Sequence, residues 1–169
     1  MSGEKMIIVP AVYERHAGPI LALLNHAALH TTWSYHYEAH PESYMREYFD
    51  ARASGGYPLL AAEDDDGAFL GFASCGAFRS FRGYLHTGEH SVYVNEASRR
   101  KGVGTALLTR LEDDCRACGV HTLIGVIDAE NAPSIALHRK CGYVHAGTLR
   151  EAGYKFGRWL TVEYYQKIL

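Results

Sequence analysis

The feature of this 169-residue chain that most restricts its fold is a short glycine-containing turn, Arg99-Arg100-Lys101-Gly102-Val103-Gly104-Thr105. It lies between a run of β-type composition, His90-Ser91-Val92-Tyr93-Val94, and a run of helical spacing, Leu107, Leu108, Leu111, Cys115 and Cys118. Gly119 supplies a stop to that helix, and a second β-type run extends from His121 to Ile127. Strand, turn, helix and strand in this order describe a parallel crossover. The turn also has a chemical reading. A helix opens on backbone N–H groups that lack intrahelical partners, its dipole adds positive potential there, and glycine lets an anion approach the backbone. With Arg99, Arg100 and Lys101 adding charge, the turn is a candidate diphosphate cradle. The competing reading is a glycine pair that serves tight packing, preceded by solvated basic residues.

Around this unit the chain alternates between the two periodicities. Met6 to Val9 reads as a first strand ended by Pro10, and Ile20 to Leu29 as a helix ending before Thr31, with Pro19 expected near its start. Thr31 to His40 has neither period and reads as a loop, after which Pro41-Glu42 opens a helix to about Ala53. Tyr57 to Ala62 and Ala68 to Phe78 form a hairpin across an acidic turn, and Arg79 to Thr87 is a loop. Asn131 to Lys140 reads as a helix, with strands at Gly142 to Thr148 and Trp159 to Ile168. A crossover flanked by hairpins predicts a mixed sheet in an α/β (α+β) protein, one domain spanning residues 1–169.

Composition excludes several classes. With 17 basic and 19 acidic residues there is no broad basic field, so nucleic acid is not an expected partner. No run approaches the roughly 18 apolar residues of a membrane span, and the apolar stretch after Met1 to Lys5 is too short for a secretory signal, so no membrane association and a cytoplasmic location are expected. The four cysteines are expected as free thiols, and Cys115-Arg116-Ala117-Cys118, inside a helical pattern without a second pair, reads as two small residues on one helix face; no metal is expected. Neither a phosphate loop ending in Gly-Lys-Ser/Thr nor a dinucleotide fingerprint after the first strand is present, which disfavours ATP and NAD.

At this point the sequence resembles the GCN5-related N-acetyltransferase (GNAT) superfamily. Its acetyl-CoA signature, Gln or Arg followed at the third position by Gly and at the fifth by Gly or Ala, is matched by Arg99, Gly102 and Gly104, and its second element by Asn131, Ser134 and Gly142-Tyr143. Within it the chain is similar to the phosphinothricin and methionine sulfoximine acetyltransferases through Glu89-His90-Ser91-Val92-Tyr93-Val94, Asp128-Ala129-Glu130-Asn131, Ser134 to His138 and Lys155-Phe156-Gly157-Arg158-Trp159, whereas Trp33 to His40 departs from that branch. The resemblance implies a mostly antiparallel sheet of about seven strands with one splayed parallel pair, flanked by about four helices. It implies acetyl-CoA as cosubstrate, a small amino-acid-like amine as substrate, and a homodimer.

The site expectations follow from amine acetylation, which needs a held thioester, a neutral amine and a stabilised oxyanion. The resemblance implies that pantetheine pairs with the strand at Val92, Tyr93 and Val94, that a backbone N–H, that of Val92, polarises the thioester carbonyl, and that Arg99 through Thr105, Asn131 and Ser134 complete the cofactor site. Glu89 is the candidate base, its alternative being a solvated strand-end acid. His138 stands where many relatives carry a tyrosine that protonates the departing thiolate; it either takes that role or is a helix-face histidine among the ten histidines of the chain. Arg79, Arg82, Thr32 and Lys155 are the candidate substrate contacts, the arginines through bidentate binding of an anionic head. Acetylation of a peptide amine, and a binding module that keeps the CoA site without chemistry, are the alternatives.

Overall fold

The computed structural model describes residues 6–169; the expectation about the leader segment falls on residues 1–5, outside the described residues. The elements are β1 (Ile7–Pro10), α1 (Tyr13–His30), α2 (Glu42–Gly55), β2 (Leu59–Glu63), β3 (Phe69–Ala77), β4 (Thr87–Val94), α3 (Val103–Ala117), β5 (Thr122–Asp128), α4 (Ala132–Lys140), β6 (Val144–Lys155) and β7 (Arg158–Ile168). The strands make one sheet in the order β1-β2-β3-β4-β5-β7-β6. Only the β4–β5 pair is parallel among these neighbours, and α3 is its crossover, as the strand–turn–helix–strand reading requires.

Two apolar clusters cover the sheet. On one face Leu107, Leu108, Leu111 and Cys115 of α3 pack with Ala73, Cys75, Leu123 and Ile127, joined by Tyr143 and Tyr165. On the other, Ile20 of α1 and Met45 and Tyr48 of α2 pack with Phe72, and the Tyr48 hydroxyl meets Ser74 Oγ at 2.8 Å. The alternation of strand side chains therefore assigns each site residue to a face: Gly88, His90, Val92 and Val94 look toward α3 and α4, while Glu89, Ser91 and Tyr93 look toward α1 and α2.

Several boundaries differ from the sequence reading. Helix α1 begins at Tyr13, so Pro19 stands inside it rather than at its start. The early turn holds because His16 is buried and accepts from Val12 N–H at 2.8 Å through Nδ1 while its Nε2–H donates to Glu63 at 2.8 Å, a tertiary tie that outweighs the one N–H that proline lacks. Strand β4 begins at Thr87 rather than His90, which puts Glu89 inside the strand and not at its mouth. Strand β6 runs seven residues past Thr148, to Lys155, because β7 pairs with it as far as Arg158. The β6–β7 hairpin turns on Phe156 and Gly157, both at positive φ (52° and 75°), the signature of a type I′ turn. Cys115 is buried, and Cys118, just beyond the helix, is exposed with its Sγ donating to the Cys115 carbonyl at 3.2 Å; all four thiols are free.

Candidate active site

The parallel pair sets the site. Strands β4 and β5 are in register only from Thr87↔Thr122 to His90↔Gly125; beyond that point Ser91–Val94 and Val126–Asp128 run on without pairing to each other. Each strand is meanwhile held on its outer side, β4 by β3 up to Gly71↔Val94 and β5 by β7 up to Asp128↔Val162, so the two are pulled apart into a fork. The direction of the free backbone groups follows from two bonds. The Thr87 carbonyl accepts from Phe78 N–H, and Asn95 N–H donates to the Leu70 carbonyl, so the odd-numbered positions between them face β3. The N–H and C=O groups of Val92 and Val94 therefore face into the fork. An extended amide-bearing chain is the ligand such an edge accepts.

Helix α3 starts beside this fork. Its N-cap is Gly102, at φ 85°, which gives the first turn no side-chain cap and leaves the N–H groups of Val103, Gly104 and Thr105 open to an outside acceptor. Arg100 also takes a left-handed φ of 62°, so the loop is wound tightly with Arg99, Arg100 and Lys101 at its exposed rim. Gly104 serves a different purpose from Gly102. A Cβ there would come within 3.1 Å of Leu137 and 3.7 Å of Val94, so this glycine lets α3 close on α4 and β4. Helix α4 caps itself: Asn131 Oδ1 accepts from Ser134 N–H at 3.2 Å.

On the α1/α2 face, Glu89 is half-buried, and desolvation raises its carboxyl above the ordinary value, with Arg79 partly offsetting the rise. Arg79 is nearby but spends one N–H on the Phe78 carbonyl at 2.8 Å and lies 4.2 Å over the Phe78 ring; Arg82 is exposed on a 3₁₀ turn, Arg82–Tyr84. The loop from Thr31 to His40 lies over the same face. Thr32 Oγ1 donates to Asp128 at the end of β5, Tyr37 donates to the Tyr154 carbonyl, and Asn25 and His40 exchange bonds of 3.1 and 2.7 Å.

Lys155 differs from its expected place as a substrate clamp. Its side chain is 1% exposed and its ammonium donates to the carbonyls of Thr31 (2.8 Å) and Ser34 (2.5 Å), so it anchors the loop. Desolvation lowers its pKa from the ordinary lysine value. Arg158 forms a bidentate pair with Glu130 at 2.7 and 2.8 Å, so the Lys155 to Trp159 run is a turn with two anchors. Trp33 reaches the rim of the Arg99–Lys101 turn, its ring 5.2 Å from the Arg99 guanidinium.

His138 is 4% exposed, on the α3/α4 face at the root of the fork. Its Nδ1–H donates to the Ser134 carbonyl at 2.7 Å, and its Nε2 is 2.9 Å from Nε2 of His90. Sequence reasoning missed His90, Asp128 and Trp33. The period of two along β5 already places Asp128 on the same side as Ile124 and Val126, but only the folded loop shows that it holds Thr32.

A fork between parallel strands with an uncapped helix start beside it defines an acyl-CoA-binding fold of the acetyltransferase type. The chain belongs to the acetyltransferase (GNAT) family, whose pattern matches residues 25–143. It is 43% identical over 147 residues, 87% of this chain and 86% of its relative, to the L-methionine sulfoximine/L-methionine sulfone acetyltransferase of Pseudomonas paraeruginosa. Among solved structures, an acetyltransferase from Salmonella typhimurium with its cofactor acetyl-CoA superposes with TM-score 0.93 at 38% identity, covering 97% of this chain and 94% of that one. A phosphinothricin acetyltransferase from Sinorhizobium meliloti in complex with acetyl-CoA superposes with TM-score 0.92 at 33% identity, covering 97% and 88%.

Proposed function

We propose that this chain transfers an acetyl group from acetyl-CoA to the primary amine of a small amino-acid-like substrate, of the methionine sulfoximine, methionine sulfone or phosphinothricin type. The observation that carries this reading is the fork, with the N–H groups of Val92 and Val94 turned into it, an uncapped α3 beside it and the half-buried carboxylate of Glu89 at its root. The substrates named for the Pseudomonas and Sinorhizobium relatives support the class of amine.

Acetyl-CoA supplies an activated thioester carbonyl. In this reading Val103, Gly104 and Thr105 N–H, with Arg99, Arg100 and Lys101, hold the diphosphate, Asn131 and Ser134 flank the pantetheine, and Val94 pairs with it. The Val92 N–H polarises the carbonyl where negative charge develops. Glu89 removes the amine proton, directly or through water, as the C–N bond forms and the C–S bond breaks with its electron pair leaving on sulfur. Arg79 and Arg82 receive the anionic head of the substrate, and Thr32 presents the loop that closes over it. Lys155 contributes by fixing that loop.

The test is thiol release from acetyl-CoA across a panel of amines. Glu89→Gln is expected to lower kcat/KM by about a hundredfold, roughly 2.7 kcal/mol, with CoA affinity retained. A loss under about threefold removes Glu89 as the base. Binding of CoA without thiol release for any amine identifies a binding module instead. The enzyme is further read as a cytoplasmic homodimer: β6 is an edge strand, and Val144, Leu149, Tyr154 and Trp159 of the β6–β7 hairpin are exposed apolar side chains. Sedimentation at micromolar concentration decides that point.

A further inference from the structure

Among the buried polar groups to which the proposed reaction gives no role is the imidazole of His90. It is 5% exposed on the α3/α4 face of β4, and it belongs to the last pair in register, His90↔Gly125, at the apex of the fork. Its ring lies 5.1 Å from that of His138, nearly parallel at 30°, with the two Nε2 atoms 2.9 Å apart. The two rings rest on bare backbone. A Cβ at Gly125 would stand 3.0 Å from His138 Nε2 and 3.2 Å from His90 Cε1, so glycine is what lets the pair sit against the strand at the parting point.

The hydrogen bonds assign the protons. His138 Nδ1 is 2.7 Å from the Ser134 carbonyl, which can only accept, so Nδ1 carries a hydrogen. In neutral imidazole Nε2 is then bare and accepts, which makes His90 the donor through its own Nε2–H. That leaves His90 Nδ1 as a buried nitrogen without a well-formed hydrogen bond among the described residues, although the Ile124 carbonyl lies close enough to the ring to offset part of the lowering of its pKa. The groups facing the pair are Cys75 of β3, in register with His90, Ser134 of α4, Tyr143 before β6, and Tyr165 of β7, with Glu112 of α3 behind Tyr143. A carboxylate directly against either ring would favour imidazolium; the rings, thiol and carbonyl found there favour the neutral pair, and burial lowers both histidine pKa values in agreement.

We infer that His90 is a positioning residue for His138: by donating from Nε2 it fixes the ring plane of His138 and keeps the His138 Nε2 unprotonated at the apex of the fork, so that His138, with both nitrogens engaged, is not the acid that protonates the departing thiolate. The inference rests on the acetyl-transfer reading for its consequence but not for its geometry, and the two are tested separately.

Long-range ¹H–¹⁵N spectra of the intact protein are expected to show His138 protonated at Nδ1 with a hydrogen-bonded, bare Nε2 from pH 8 down to about 6. In His90→Phe, which keeps a ring but loses the donor, His138 should titrate higher by about one unit. His90→Gln, whose amide can donate from the same place, should return that titration to the parent's, and kcat of the parent should not fall as pH rises from about 6.5 to 8, as it would if a protonated His138 were required. A His138 protonated at Nε2 in the parent protein overturns the inference. So does a His90→Phe protein in which His138 titrates as in the parent, or a folded His90→Gln no better than His90→Phe. Absence of turnover in the parent with every amine refutes the acetyl-transfer reading and with it the consequence for the thiolate, while the spectra still decide the proton assignment.

Discussion

At the level of single residues the glycines show how differently one residue type is used. Gly102 stands at φ 85° with open space around its Cα, so Gly102→Ala meets no neighbour and pays only for the left-handed backbone, about 1–2 kcal/mol. Thermal melts should show that loss, and calorimetry a weaker acetyl-CoA affinity, since the N–H groups of the first turn of α3 move with it; an affinity equal to the parent's would take Gly102 out of the cradle. Gly125 has ordinary backbone geometry but two imidazoles against it. Gly125→Ala is expected to destabilise by about 1–3 kcal/mol through overpacking and to disturb the His138 signals, whereas Gly102→Ala leaves them in place. The importance of Gly102 was legible from its place before a helical run. That of Gly125 was not, because the rings it accommodates come from positions 90 and 138.

Among the elements, the loop between α1 and α2 has the least regular structure, yet the proposed reaction places it over the amine. It has no periodicity, and its shape comes from four ties to distant parts of the chain: Asp128, Lys155, Tyr154 and Asn25. Lys155→Met removes the ammonium from two part-buried carbonyls, at a cost of about 1–2 kcal/mol. Its kinetic effect should fall on the amine, with KM for the amine raised several-fold and KM for acetyl-CoA little changed; limited proteolysis should cut within residues 31–40 sooner than in the parent. Equal rises in both KM values would show that the loop does not serve the amine alone. The same element explains why the sequence suggested Lys155 as a substrate contact: a lysine beside a glycine turn looks exposed until the loop folded over it is known.

For the whole molecule the buried histidine pair predicts a pH dependence. His90 has its pKa lowered from 6.5 to about 3 by burial and by His138, and His138 is lowered as well. The unfolded chain therefore binds more protons than the folded one between those values, and stability rises with pH across that window. The contribution is complete above about pH 6.5 and is lost as pH falls toward the folded value. Melting temperature should decline from pH 7 to pH 5, and His90→Phe should flatten that decline. Glu163, whose pKa Thr148 and His145 hold below 4.5, acts only at lower pH, so the two effects separate. A melting temperature constant from pH 7 to 5 in the parent would contradict the neutral pair.

The sequence by itself determined the crossover, the helix start after Gly102 and the family, because those are properties of contiguous segments: period, glycine placement and helix start are set by neighbours along the chain. Only the tertiary structure decided where the fork opens, which face Glu89 looks toward, and that Lys155, Asp128 and His90 are anchors or partners. Those facts depend on strand register and on contacts between residues tens of positions apart. Short-range patterns carry no information about them.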